Sequence, residues 1–298
     1  MSSSSPLRGS VLPNRFIKIL PPRIRVRLYW LSRELLCRAQ SPIDYLWRRV
    51  NGRAHLPPLY LRERTGAGPW GSFEAAAAEF RAYLKLIPKL QPHERVLDIG
   101  CGCGAEALWM VDYLNGSGKY AGVDVDRRLI QWCNTHIAAG HPSFRFVHLD
   151  VKSSAYNPGG KLSGSNCKFP FEDGSFDVVF AKSLFTHLVP EAADNYLKEI
   201  ARLLSPAGRC LASFYLLNDA VRQSTLEKPG YPAFNFGSGP WRYAFEQAVE
   251  SAVAFEDSYL FDLMRNHGLG LKQDVYRGMW SGFEAGLWSQ DLVLFGRG

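Results

Sequence analysis

The segment Arg95–Gly104, RVLDIGCGCG, constrains this chain more than any other. A short apolar run ends on glycines at 100, 102 and 104 and passes at once into an Ala-rich helical stretch. Strand, glycine turn and helix in immediate succession form the unit from which parallel sheets with crossover helices are built. The pattern then repeats. A helix is predicted near Ala105–Leu114, a strand over Tyr120–Val125, a helix over Arg128–Ala139 and a strand over Phe144–Leu149. Further strands are predicted over Phe176–Ala181 and Arg209–Leu216, with a helix over Ala192–Leu204 between them. The tail differs: a helix over Ser258–Asn266 precedes strands at Leu271–Tyr276 and Leu292–Gly296 with no helix between the two. Those last strands should pair as a hairpin and place an antiparallel strand at or near the sheet edge. The expected fold class is α/β: a doubly wound, mostly parallel sheet with an antiparallel terminal strand and an N-terminal helical arm.

Ahead of this alternation the chain has another character. Residues 1–65 hold thirteen Lys and Arg against three acids, a net of +10, whereas the rest holds 22 against 25. The total of +7 therefore belongs to the arm, and it gives no ground for expecting a nucleic-acid partner. Residues 1–14, rich in Ser and broken by Pro, read as a disordered tail, and 15–65 as a basic helical arm. Helices are expected over Val26–Arg38 and Ile43–Val50, with Pro21 and Pro22 isolating the first. Large apolar groups alternate with Arg through residues 15–50. That pattern suits peripheral contact with an anionic membrane, or a flap that packs with Arg outward. No run of about 18 apolar residues offers a membrane span. The first thirty residues contain four prolines and no clean apolar leader, and the six cysteines are scattered. A cytoplasmic protein with reduced thiols is expected. Cys101 and Cys103 lack a second ligand pair, so no zinc site is expected.

Alternate glycines before a helix allow a ligand close to the backbone, but they do not choose the ligand. Gly102-x-Gly104-x-x-Ala107 also fits a dinucleotide fingerprint. Asp124, twenty residues beyond Gly104, would take ribose hydroxyls in either case. Asp98 discriminates. A carboxylate two residues before the first glycine would repel a diphosphate and attract an ammonium group. Its alternative role is to cap the turn.

The set Val96-Leu-Asp98-Ile-Gly-Cys-Gly-Cys-Gly104, Gly122-Val-Asp124-Val, Phe146-Val-His-Leu-Asp150-Val, Phe169-Pro-Phe-Glu-Asp-Gly-Ser-Phe-Asp177 and Leu197-Lys-Glu-Ile-Ala-Arg-Leu-Leu-Ser-Pro-Ala-Gly208 resembles class I S-adenosylmethionine-dependent methyltransferases over about residues 73–217. The resemblance implies a seven-stranded sheet with S-adenosylmethionine across the carboxyl ends of its first two strands. It implies that Asp98, Gly100, Cys101, Gly102 and Gly104 hold the methionine part. By the same analogy Asp124 takes the ribose, Val125 touches the adenine, and Asp150, with Val151 beside it, receives the adenine amino group. Val125 as plain core and Asp150 as a loop cap stay open.

Methyl transfer needs alignment in a dry site and, for an oxygen acceptor, a general base. Ala181-Lys-Ser-Leu-Phe-Thr-His187 follows the fourth strand at the expected crevice. His187 is the base candidate, against a capping or core-edge role. Lys182 would line the crevice on the cofactor side, with Ser183; Tyr156 is a further candidate. Residues 218–257, with Tyr231, Phe234, Phe236, Trp241, Tyr243 and Phe245, are expected to be a long aromatic lid inserted in a domain spanning 66–298. Tyr276–Phe283 would add a wall. The expected partner is a small-molecule or sugar acceptor methylated at oxygen; rival readings are an NAD(P)-dependent oxidoreductase and a cofactor-binding scaffold without turnover.

Overall fold

The computed structural model describes residues 22–66, 72–227, 232–283 and 285–298. The tail expected over 1–14, the apolar residues Phe16–Leu20 and Tyr231 lie outside them. Contacts divide the chain into two compact units, 1–77 and 78–298, and the division falls within a helix.

In the first unit lie α1 (Pro22–Ala39), α2 (Ser41–Val50) and α3 (Leu59–Arg64); α4 (Ser72–Leu86) runs across the division. Both N-terminal helices occur where apolar spacing predicts them. The short α3 escapes that reading because Pro57 and Pro58 stand before it and it has only six residues.

The second unit begins its sheet with β1 (Arg95–Ile99), followed by α5 (Ala105–Tyr113), β2 (Lys119–Asp124), α6 (Arg127–His136), β3 (Phe144–His148) and β4 (Phe176–Ala181). It continues through α7 (Pro190–Leu203), β5 (Leu204–Phe214), β6 (Leu216–Leu217), α8 (Asp219–Glu227), β7 (Trp241–Tyr243) and β8 (Val253–Glu256). Last come α9 (Asp257–Asn266), β9 (Leu269–Leu271) and β10 (Asp291–Arg297). Seven strands form one sheet in the order β3-β2-β1-β4-β5-β10-β9. β1 runs parallel to β2 and β4, whereas β10 pairs antiparallel with β5 and β9. This is the expected doubly wound α/β sheet with an antiparallel terminal strand. β1, β4 and β5 are buried along most of their length, as parallel strands of a doubly wound sheet are.

One expectation needs correction. The strand expected over Leu271–Tyr276 is β9, ending at Leu271, and Tyr276 makes only a lone bridge to Leu292. Lys272, Gln273 and Asp274 interrupt the apolar pattern there. Residues 218–257, the expected lid insertion, contain regular structure among the described residues. Asn218 caps α8 by accepting from the Val221 N–H at 2.9 Å, and β7 and β8 join β6 in a small three-stranded sheet.

One carboxylate ties the amino ends of three strands. Asp177 on β4 accepts from the Arg95 N–H at 3.0 Å, from the Arg95 guanidinium at 2.9 and 2.7 Å, and from Ser205 Oγ at 3.0 Å. The Arg95 bonds hold its pKa down at about 2. An unfolded aspartate titrates near ~3.9, so this contribution to stability is complete above that pH and disappears as pH falls through about 2. The thermal-midpoint gap between wild type and Asp177→Asn is therefore expected to be largest near neutrality and to close between about pH 4 and pH 2. A gap that ignores pH would contradict the assignment.

Candidate active site

The strand order reverses between β1 and β4, so a crevice opens beyond their carboxyl ends. β1 delivers Asp98 and the glycine turn there; β4 delivers Lys182 and Ser183. Gly100, Gly102 and Gly104 all have left-handed φ, at 85°, 56° and 78°. Gly104 is also sterically required, since a Cβ would stand 2.7 Å from Ile137 Cδ1 and 3.2 Å from Cys133 Sγ.

The turn's amides are mostly spent inside the protein. Gly100 and Cys101 N–H both donate to the Val123 carbonyl, at 2.8 and 3.1 Å. Gly102 N–H donates to Asp124 Oδ2 at 2.9 Å, and Gly104 N–H to the Cys101 carbonyl at 2.9 Å. A phosphate cradle needs such donors free. Asp124 thus caps the turn, a role the sequence left open for Asp98. The Cys101 side chain points inward: a Cβ at Gly122 would lie 2.9 Å from its sulfur. Burial pushes the thiols of Cys101 and Cys133 up, so both stay protonated.

Asp98 is not in the turn. It is the penultimate residue of β1, 1% exposed, and accepts a 2.5 Å hydrogen bond from Tyr120 Oη on β2. Glu106, in the first turn of α5, is also buried and pairs with Lys182 Nζ at 2.8 Å. Burial, and then the neighbouring Glu106, raise the Asp98 pKa well above the ordinary carboxylate range, against the lowering influence of Tyr120 and Lys182. The cationic Lys182 thus turns to Glu106 and lies over the Phe80 ring at 5.2 Å. Tyr120 and Glu106 were absent from the sequence-based site. A tyrosine inside the buried run of β2 was a usable signal, because a buried phenol needs a partner.

At the end of β2, Asp124 also accepts from the Asp126 N–H at 2.8 Å. Burial lifts its pKa to about 6 despite these backbone bonds. Val125 is half-buried against the main core, and Val151 is buried within it, so the Val151 side chain serves packing. Asp150 Oδ1 accepts from Asn157 Nδ2 at 3.2 Å, and its carbonyl accepts from Lys161 and Leu162 N–H.

Beyond β4, Ser183 sits at φ 52°, rare for a residue with a side chain. It is held there by its N–H on Ser213 Oγ at 2.7 Å and its Oγ on Gln290 Oε1 at 3.2 Å. His187 closes the next turn. Its Nδ1 lies 2.7 Å from the Glu250 carbonyl, which can only accept, so Nδ1 carries the proton and Nε2 the lone pair. Burial lowers its pKa. Tyr156 meets the His187 ring edge-on at 6.2 Å. Glu250 fixes that loop by accepting from Ser154 N–H and Oγ, at 2.8 and 2.7 Å. Thr186 Oγ1 beside it is buried without a hydrogen-bond partner. Of the expected lid aromatics, Phe234 packs on Tyr215 and Trp280, whose indole N–H bonds Asp291 at 2.8 Å, while Phe236 stacks on Tyr243.

Imidazole titration by NMR, assigned with His187→Gln, should place the His187 midpoint below about 6.5 with the Nδ1–H tautomer dominant at neutral pH. A midpoint above that value would overturn this account of the ring.

Residues 96–208 match the family model described as a methyltransferase domain. Sterol 4-C-methyltransferase strm-1 of Caenorhabditis elegans is 27% identical over 146 residues, covering 48% of this chain and 36% of that protein. An arsenite methyltransferase of Aquipseudomonas alcaligenes is 28% identical over 123 residues, covering 41% of this chain and 33% of that protein. The chain thus spans about a third of each of these relatives. It also spans 5% of the squalestatin hexaketide synthase of a Phoma species, at 27% identity. The PH0226 protein of Pyrococcus horikoshii shares the fold, with a TM-score of 0.52 at 16% identity, over 77% of this chain and 92% of that one. The sheet order, the glycine turn and the family match together make residues 96–208 similar to a class I S-adenosylmethionine-dependent methyltransferase domain.

Proposed function

We propose that this chain binds S-adenosylmethionine at the carboxyl ends of β1 and β2 and methylates a small molecule, sugars included, at oxygen. One observation carries the reading: an acid, Asp98, lies buried beneath a glycine turn whose amides are largely spent within the protein. That arrangement suits an ammonium-bearing ligand and disfavours the diphosphate of a nicotinamide cofactor. The residues fit the donor: left-handed glycines admit its amino-acid end, Asp124 suits ribose hydroxyls, and Val125 and Asp150 suit adenine. Cys101 can offer main-chain atoms only, and Val151 acts as packing. When bound, S-adenosylmethionine supplies an electrophilic methyl group on sulfur.

The remaining tasks fall to the chain itself. Asp98 is shielded from direct contact as it stands, so its influence is electrostatic; a cation at the turn favours its ionised form. Tyr120 holds that carboxyl in place, and Lys182 balances Glu106. His187, neutral with a bare Nε2, is suited to take a proton from an acceptor hydroxyl. Tyr215, Phe234 and Trp280, beside Gln290, offer an apolar wall with polar edges. The relatives named above include sterol and arsenite methyltransferases, so the family does not choose the acceptor; the neutral base favours oxygen. The membrane contact expected through residues 15–50 concerns other residues, those of the first unit.

Isothermal titration with S-adenosylmethionine should show at least a ~10-fold loss of affinity in Asp98→Asn, about 1.4 kcal/mol. Wild-type affinity should also fall with decreasing pH, because a protonated Asp98 offers the cation no charge, and the variant should lose that dependence. Undiminished binding by the variant, or tighter binding of NADH than of S-adenosylmethionine by wild type, sinks the proposal. In an acceptor screen, His187→Gln should lower turnover by roughly 10²–10⁴-fold with cofactor affinity unchanged. An unchanged rate removes the base, and cofactor binding without turnover on any acceptor favours the scaffold.

A further inference from the structure

Helix α2 is inside out. Its buried face is made of Asp44 and Arg48, and its solvent face of Ile43, Tyr45, Leu46 and Val50. Ile43, Leu46 and Val50 recur at helical spacing and are 63%, 62% and 84% exposed. Leu31 and Leu35, one turn apart on α1, are 52% and 58% exposed. An amphipathic helix in water ordinarily turns the other way.

The rotation is fixed by bonding. Asp44, fully buried, accepts from Arg48 Nε at 2.9 Å, from the Leu59 N–H at 3.1 Å and from the Arg62 guanidinium. Arg48 in turn donates to the Leu56 carbonyl at 2.8 Å. Rolling α2 to hide its apolar stripe would strip a buried carboxylate of cationic and backbone donors, which is costly. The apolar face is therefore held outward.

Charge decides what can cover it. Residues 1–77 carry thirteen Lys and Arg against four acids, a net of +9. All four acids are paired within the unit: Glu34 with Arg38, Asp44 with Arg48 and Arg62, Glu63 with Arg33, and Glu74 with Arg53. Each acid of the unit is thus already taken by an arginine of the same unit. Arg49 stands over the Tyr45 ring at 5.1 Å and Arg53 over Trp47 at 5.3 Å, beside the apolar stripe. A second copy of the chain would set +9 against +9. An anionic bilayer offers both a negative surface and an apolar layer beneath it.

We propose that the outward faces of α1 and α2 dock this chain on an anionic membrane surface, with Ile43, Leu46 and Val50 entering the acyl boundary and the arginines at the headgroups. Among the described residues no helix is long and apolar enough to cross a membrane, so the contact is peripheral. The inference does not depend on the methyl-transfer reading.

Co-sedimentation of the full chain tests it, using phosphatidylcholine vesicles with and without about a third phosphatidylserine, at about 0.1 M and 0.5 M salt. Binding is expected on the anionic vesicles only, weakened at least ~10-fold by Ile43→Ser/Leu46→Ser/Val50→Ser and by the higher salt. Leu162→Ser, an exposed apolar control in the second unit, should bind as wild type. Far-UV circular dichroism checks the triple variant; should it unfold, Val50→Ser alone, at the most exposed position, is expected to weaken binding several-fold. No binding to anionic vesicles, or binding that survives these substitutions, overturns the proposal. So does a solution dimer that the same substitutions dissociate, which would assign the face to a second copy, or an acidic protein that competes while vesicles do not bind.

Discussion

The glycine turn is held by β2, and the site depends on that grip. The Val123 carbonyl receives two of its amides and the Asp124 carboxylate a third, so the path from β1 into α5 is set by the neighbouring strand. Three left-handed residues in five would otherwise leave the segment with much conformational freedom to lose. With the turn closed on itself, the acid below it has no turn amide as a partner. Asp98 is left with a phenol, a neighbouring carboxylate and a distant ammonium, and burial, followed by that carboxylate, raises its pKa.

The opposite wall of the crevice is built by non-local bonds. Ser183 is kept in a costly backbone conformation by Ser213 on β5 and Gln290 just before β10. Such strain persists only where the surroundings over-determine it. His187 is likewise oriented by a carbonyl 63 residues away, and the same residue's carboxylate fastens the Tyr156 loop. The segment between β6 and β8 therefore acts on the site through its backbone at Glu250. Its aromatics are largely absorbed by the small sheet and by Trp280.

The first unit obeys a different logic. A deep polar cluster centred on Asp44 fixes how α2 is turned, and the apolar stripe points outward as a consequence. Buried ion pairs are weak sources of net stability but strong constraints on geometry, since breaking one leaves an unpaired charge. Amphipathicity alone shows that α2 has two faces; it does not show which one is buried.

The sequence by itself indicated the strands and helices of residues 95–203, to within a few residues at their ends, and their parallel arrangement, while β5 begins at Leu204 rather than at Arg209. Those follow from local apolar periodicity, glycine and the handedness of crossovers. It also singled out Asp98, Asp124 and His187 by residue type and position. Only the tertiary structure decided what each of them touches. That Tyr120 meets Asp98, that Asp124 and not Asp98 caps the turn, and that Cys101 and Val151 face the core all depend on pairing between distant segments. Such pairing is set by register and packing across the sheet, which periodicity along one strand does not encode.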